Sequence, residues 1–167
     1  SEDQHHLTLL AYRWGELDGE RAMQMVEKSG RAEGVLLGAA AMEAWARNDS
    51  ESAQSWLDAE QRDVRSPIKS AFLAGLSAHD LQAASDYLIT LQSESNAVSH
   101  VRAVLDAQIK QRGLEAAEQW IQGLPDESIK ANSLIQLARK KIEEDLDAAT
   151  TWVLNYADLD YGGDAVG

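Results

Sequence analysis

Residues 113–125 read Gly113-Leu114-Glu115-Ala116-Ala117-Glu118-Gln119-Trp120-Ile121-Gln122-Gly123-Leu124-Pro125, and variants of this phrase recur along the chain. Ala22, Ala53, Ala84, Ala117 and Ala149 stand 31, 31, 33 and 32 residues apart. Four residues before each marker alanine comes Asp18, Asp49, Asp80, Gly113 or Asp145. Three residues after it comes Met25, Trp56, Tyr87, Trp120 or Trp152, followed by Val26, Leu57, Leu88, Ile121 or Val153. Self-similarity at a fixed period of this size is the signature of a repeat architecture.

Each fixed position has a physical role. An aspartate carboxylate accepts the free N–H groups of a helix's first turn and complements the positive end of its dipole, so the Asp marks a helix start. Alanine one turn inside, with an aromatic and an aliphatic residue three and four positions later, places one small and two large side chains on a single helical face. This second helix of each copy, helix B, spans about residues 50–60 in copy two. A helix A precedes it. Twelve residues before the marker stand Leu10, Ala41, Phe72, Leu105 and Leu137, and eight before it Trp14, Trp45, Leu76, Ile109 and the pattern-breaking Lys141. Breakers separate the copies at Lys28-Ser29-Gly30, Ser66-Pro67, Ser93-Glu94-Ser95-Asn96 and Gly123-Leu124-Pro125-Asp126. About ten helices and no strand are expected, because nothing alternates with period two for long enough.

The Asp-x-x-Ala-Ala-x-x-Trp-Leu signature resembles the tetratricopeptide-like α-solenoids, and most of all tandem helical repeats of uncharacterised bacterial proteins. The resemblance covers Leu7 to Tyr156. The period of about 32 rather than 34, and the absence of that family's Trp-Leu-Gly-Tyr order in helix A, mean that its peptide-binding residues are not carried over. The resemblance implies an all-α, right-handed α-solenoid of about five antiparallel helix pairs with a scaffolding role. The repeats would span about 5–30, 31–64, 65–95, 96–125 and 126–157, forming one domain over 1–157, with 158–167 as a flexible acidic tail. It further implies a bacterial protein, exported or periplasmic as one option.

Length and composition agree with a single domain. A chain of 167 residues buries about 70 % of its unfolded surface and needs no staples. Without cysteine there is no disulfide and no thiolate–metal site, and the compartment stays open. The net charge of −13 argues against nucleic acid, since the best basic cluster, Arg139-Lys140-Lys141, runs straight into Glu143-Glu144-Asp145. No apolar run reaches the ~18 residues of a membrane span. Ser1 to His6 carries no leader pattern and reads as a mature terminus or a fragment boundary.

Catalytic patterns are sparse, and the expectation is a protein that is not an enzyme and holds no cofactor. The four histidines, His5, His6, His79 and His100, form no His-Glu-x-x-His frame, and all are expected at the surface. No nucleophile elbow or phosphate loop occurs; Gly34-Val35-Leu36-Leu37-Gly38 lacks the lysine. Asp158-Leu159-Asp160-Tyr161-Gly162-Gly163-Asp164 has glycine where a calcium loop needs its fifth-position ligand. Asn48-Asp49-Ser50 is a sequon by letter, but its Asp is a cap. The five tryptophans share repeat positions with Tyr87 and Met25 or with Leu76, as inter-helix core residues do.

Recognition is therefore expected from variable positions. On a wheel of about 100° per residue, the helix A side opposite the core carries Tyr12, Arg13, Glu43, Arg47, Gln108, Gln111, Arg139 and Lys140. Several arginines along a groove in an acidic body are expected to take a protein or an acidic peptide. A small-molecule or enzymatic site on the concave face is the competing expectation, and a structural spacer a third. Copies one and five are expected to cap the array, copy five by placing Lys141 at a core position.

Overall fold

The repeat turns on a single residue. At the first three A-to-B junctions the aspartate N–H closes helix A: Asp18 donates to the Trp14 carbonyl at 2.9 Å, Asp49 to Trp45 at 2.7 Å and Asp80 to Leu76 at 3.0 Å. Its carboxylate opens helix B by accepting the N–H three residues on: Arg21 at 3.2 Å, Ser52 at 3.1 Å and Ala83 at 2.9 Å. One side chain thus supplies a start signal where backbone donors would be orphaned. In the computed structural model, which describes residues 2–28, 31–59, 66–91, 97–146 and 150–155, these junctions separate α1 (Glu2–Leu17) from α2 (Gly19–Lys28), α3 (Arg31–Asn48) from α4 (Ser50–Ala59), and α5 (Ser66–Ser77) from α6 (Leu81–Thr90). The rest is α7 (Ala97–Gln122), α8 (Glu127–Glu144) and a helical segment at 150–155. The described residues are all-α, with no strand.

Copy four replaces the aspartate with Gly113, and the junction changes form. Its φ of 86° and ψ of 173° lie where an L side chain is strained, so the chain turns there without a loop and α7 carries both of that copy's helical stretches. Two breakers act as starts rather than gaps. Ser66-Pro67 opens α5, where proline's missing N–H costs nothing, and Asp126 caps α8 through the Ile129 N–H at 2.7 Å. The links at residues 29–30 and 93–96, the marker Ala149 and the tail 158–167 lie outside the described residues.

Packing follows chain order. α1 packs on α3, α3 on α5, α5 on α7 and α7 on α8, while each B helix packs on its own A helix and on the next. Among the described residues no helix touches one more than two places away. The marker alanines Ala22, Ala53, Ala84 and Ala117 are buried, as are Ala41, Phe72, Leu105 and Leu137 of the A helices. The core tightens at α3, which is clasped from both sides. A side chain on Gly15 of α1 would overlap the Ala41 carbonyl, and one on Gly75 of α5 would overlap the Glu43 carbonyl. The Trp45 ring occupies the space a Gly19 side chain would need. Such contact leaves no slack for even one methyl.

Two expectations fail here for one physical reason each. His100 is fully buried, with Nδ1 2.9 Å from Ser70 Oγ, and Gln108 is 2 % exposed. Both sit on α7, which is covered by α5 on one side and α8 on the other, so a wheel with a single core face leaves too wide an outer arc. Leu10 and Trp14, expected in the core, are 65 % and 40 % exposed, because among the described residues no helix precedes α1. Lys141 stands at the expected position, and its Nζ lies 2.7 Å from Glu118 Oε2 and 4.7 Å from the Trp152 ring centre. The charge at a core position is neutralised on one side and stacked on the other.

Two outcomes test this packing. Gly75→Ala, despite a helix-propensity gain of about 1 kcal/mol, is expected to lower unfolding stability by about 1–3 kcal/mol. Gly123→Ala, whose new methyl meets nothing nearer than the Trp120 carbonyl at 3.5 Å, is expected to stay within about 0.5 kcal/mol. Urea denaturation of both variants reads the difference. The Ser52 hydroxyl and then the Ser52 N–H hold the Asp49 carboxyl below its ordinary value. A depressed folded value means that this cap stabilises the protein above the unfolded value and ceases to do so as pH falls through the folded one. Asp49→Asn is therefore expected to show a flatter loss of stability below pH ~4 than the parent chain in acid titrations of the urea midpoint.

Candidate functional site

Helix A residues expected to bind a partner do not form a cationic stripe. Arg13 is exposed but bonded to Glu16 at 2.8 Å, which raises its already high pKa, and Arg47 faces Glu43 on its own helix at 3.7 Å. Lys140 lies 3.6 Å from Asp106 across the α7–α8 contact and 3.9 Å from Glu143. Tyr12 is half-buried and Arg139 is exposed. Gln111 is exposed, yet its amide donates to the Ser77 carbonyl at 2.6 Å. Gln108 is buried and cannot meet a partner in this fold. Exposed pairs of this kind add little stability, but they cancel the positive potential an acidic peptide would need.

The structure instead gathers a groove at the start of the chain. About 490 Å³ lies between α1, α2 and α3, walled by Leu7, Leu10, Trp14 and Leu17 from α1, Met25 and Val26 from α2, and Leu37 from α3. Among the described residues Arg13 is the one charged residue on its wall. Leu10 shares its repeat position with Ala41, Phe72, Leu105 and Leu137, each at most 1 % exposed, and Trp14 shares its position with the buried Trp45 and Leu76. Among the described residues Leu17 is the most exposed large apolar residue, at 86 %. The groove thus uses helix positions that are buried in the later copies. It escaped the sequence because a repeat alignment assigns a position its average environment, and among the described residues no helix covers α1 on that side.

No protein-family model, curated protein or solved structure matches this chain.

A second cleft of about 410 Å³ runs between α2 and α4, where Glu20, Glu51, Ser52 and Ser55 surround Trp45 and Trp56. The two indoles lie 6.2 Å apart at 59°, and Trp45 is only 8 % exposed, so its ring serves mainly as packing. Among the described residues no three His, Asp or Glu side chains converge as a metal site, and no helix is long and apolar enough to cross a membrane. Chemically, the groove offers hydrocarbon and indole surface with a guanidinium at its rim. It can desolvate an apolar face and orient it by one charge. Among the described residues that wall carries no carboxylate, imidazole or hydroxyl.

The contrast between equivalent positions gives a direct measurement. Leu10→Ser is expected to change unfolding stability by less than about 0.5 kcal/mol, whereas Phe72→Ala at the same repeat position should lose about 3–5 kcal/mol. Equal losses at both sites, read by urea denaturation, would show that the groove is filled from within the chain.

Proposed function

We propose that the chain is a non-catalytic protein-interaction module, built as a right-handed α-solenoid of five antiparallel helix pairs that resemble the tetratricopeptide-like repeats. The nearest-neighbour packing order, with no contact beyond two helices along the chain among the described residues, supports the solenoid reading. The functional reading is carried by the groove of about 490 Å³, whose wall uses positions that are buried in later copies. Exposed leucine and tryptophan in one contiguous, polar-rimmed patch mark a surface that works by being covered. Its partner is a helical, apolar protein surface, because the shape left open is the one a neighbouring repeat helix fills elsewhere. The self-paired arginines disfavour the acidic-peptide partner that composition alone would favour.

A photo-crosslinking residue placed at Leu10 or Leu17, in cells of the source organism, tests this reading. A discrete protein adduct is expected from both positions, and none from the same residue placed at Gln82, which is exposed on α6. Adducts confined to water or small molecules at Leu10 and Leu17 would overturn it.

A further inference from the structure

We propose that the partner in the groove is a second copy of this chain, whose last helix pair stacks head to tail on the first pair of its neighbour. The inference rests on the interaction-module reading and commits it to one occupant.

The internal junctions show what such a contact is made of. Where copy two meets copy one, Ala41 and Trp45 approach Gly15 and Gly19, and Gly38 lies against Val26. The receiving side thus uses positions 15, 12 and 8 before the marker alanine, and the offering side uses positions 7 and 3 before it and 4 after it. In copy one the receiving positions are Leu7, Leu10 and Trp14, exposed at 47 %, 65 % and 40 %. In copy five the offering positions are Ile142, Leu146 and Val153, exposed at 47 %, 63 % and 43 %. Each end of the described chain therefore carries the half of the junction that the other end lacks. Apolar residues stand at all six positions, whereas the internal junctions carry polar or charged residues at some of them, such as Lys69, Ser77 and Lys110, so the stacked pair would desolvate hydrocarbon against hydrocarbon.

Two further details fit a junction between chains rather than a repetition of the first internal one. Ile142 and Leu146 replace Gly15 and Gly19, so the helices stand further apart, as leucine at the same position in Leu81 and Leu114 already requires of later copies. Asn48 donates to the Glu16 carbonyl at 2.9 Å across the first junction, and its counterpart in copy one is Leu17. The chain-to-chain contact gives up that hydrogen bond and gains apolar area. Because the two faces differ, the contact is heterologous, and its repetition gives an open array or, where the rotation closes, a ring. Against it stands the charge of −13 on each copy, so association should strengthen as salt screens the repulsion.

Sedimentation velocity on the full chain tests the proposal, with Leu10→Glu spoiling the receiving face and Leu146→Glu the offering face; both residues are exposed, and circular dichroism checks that each variant folds. The parent chain is expected to pass from monomer to species larger than a dimer with rising concentration, and to do so at lower concentration in high salt. Each variant alone should associate at least tenfold more weakly. An equimolar mixture should form a dimer and stop there, because one good junction remains. A parent chain that stays monomeric at every concentration and salt overturns the proposal, as does one that stops at a dimer sensitive to Leu10→Glu alone. Either result leaves the interaction-module reading standing if crosslinks from Leu10 reach a different protein, and that reading falls only if no protein is reached.

Discussion

The carbonyl of Ala41 stands where a side chain on Gly15 would stand, and the carbonyl of Glu43 where one on Gly75 would stand. Backbone-to-backbone approach of this kind fixes the distance and register of α3 against both neighbours at once, since sliding by one residue would put a side chain where only hydrogen fits. The remainder of the early core follows from that constraint. With α1 and α3 so close, Trp45 lies over Gly19, and the buried alanines of α3, at positions 41, 44 and 46, keep that helix thin beside its larger buried residues Met42 and Trp45. Burial here is set less by how apolar the residues are than by how thin they are.

Electrostatics then decides where each helix begins, and the exceptions show the rule. Three aspartates serve both as the last hydrogen-bond donor of one helix and as the cap of the next. Gly113 has no carboxylate and reaches the same change of direction by a backbone conformation other residues resist. Lys141 introduces charge at a position that is elsewhere aromatic or aliphatic, and the fold answers with Glu118 and the face of Trp152. A partly buried ammonium with one carboxylate and one ring is tolerable where a lone one would not be.

The recurrent positions were legible in the sequence because their burial comes from geometry that each copy repeats. Spacing of four within helix A, and of three and four after the marker alanine, places the same side chains inward in the middle copies whatever their neighbours are. What depended on a neighbour was not legible. His100 and Gln108 are buried because α7 is covered on two sides, and a single helical wheel does not contain that second side. Contacts that join copies, such as Asn48 to Glu16 and Gln111 to Ser77, link residues 32 and 34 apart that differ in type from copy to copy. No repeat signature marks them. The candidate site was invisible for the opposite reason: Leu10 and Trp14 obey the pattern, and only the lack of a preceding helix among the described residues turns core into surface.

In the proposed solenoid every internal junction needs an offering and a receiving face, so the first and last described copies present complementary halves. Polar substitution at the ends would blunt both halves. Here leucine, tryptophan, isoleucine and valine stand at those positions, and Leu17, the most exposed large apolar residue among the described ones, takes the place of Asn48, which bonds to the copy before it. Charge supplies the restraint that composition at the ends does not. With −13 spread over each chain, approach of two copies is opposed at long range and favoured only at contact, where apolar burial acts and screening by salt weakens the opposition. The same balance allows a helical partner of opposite charge to compete for the groove, because it would gain the contact without the repulsion.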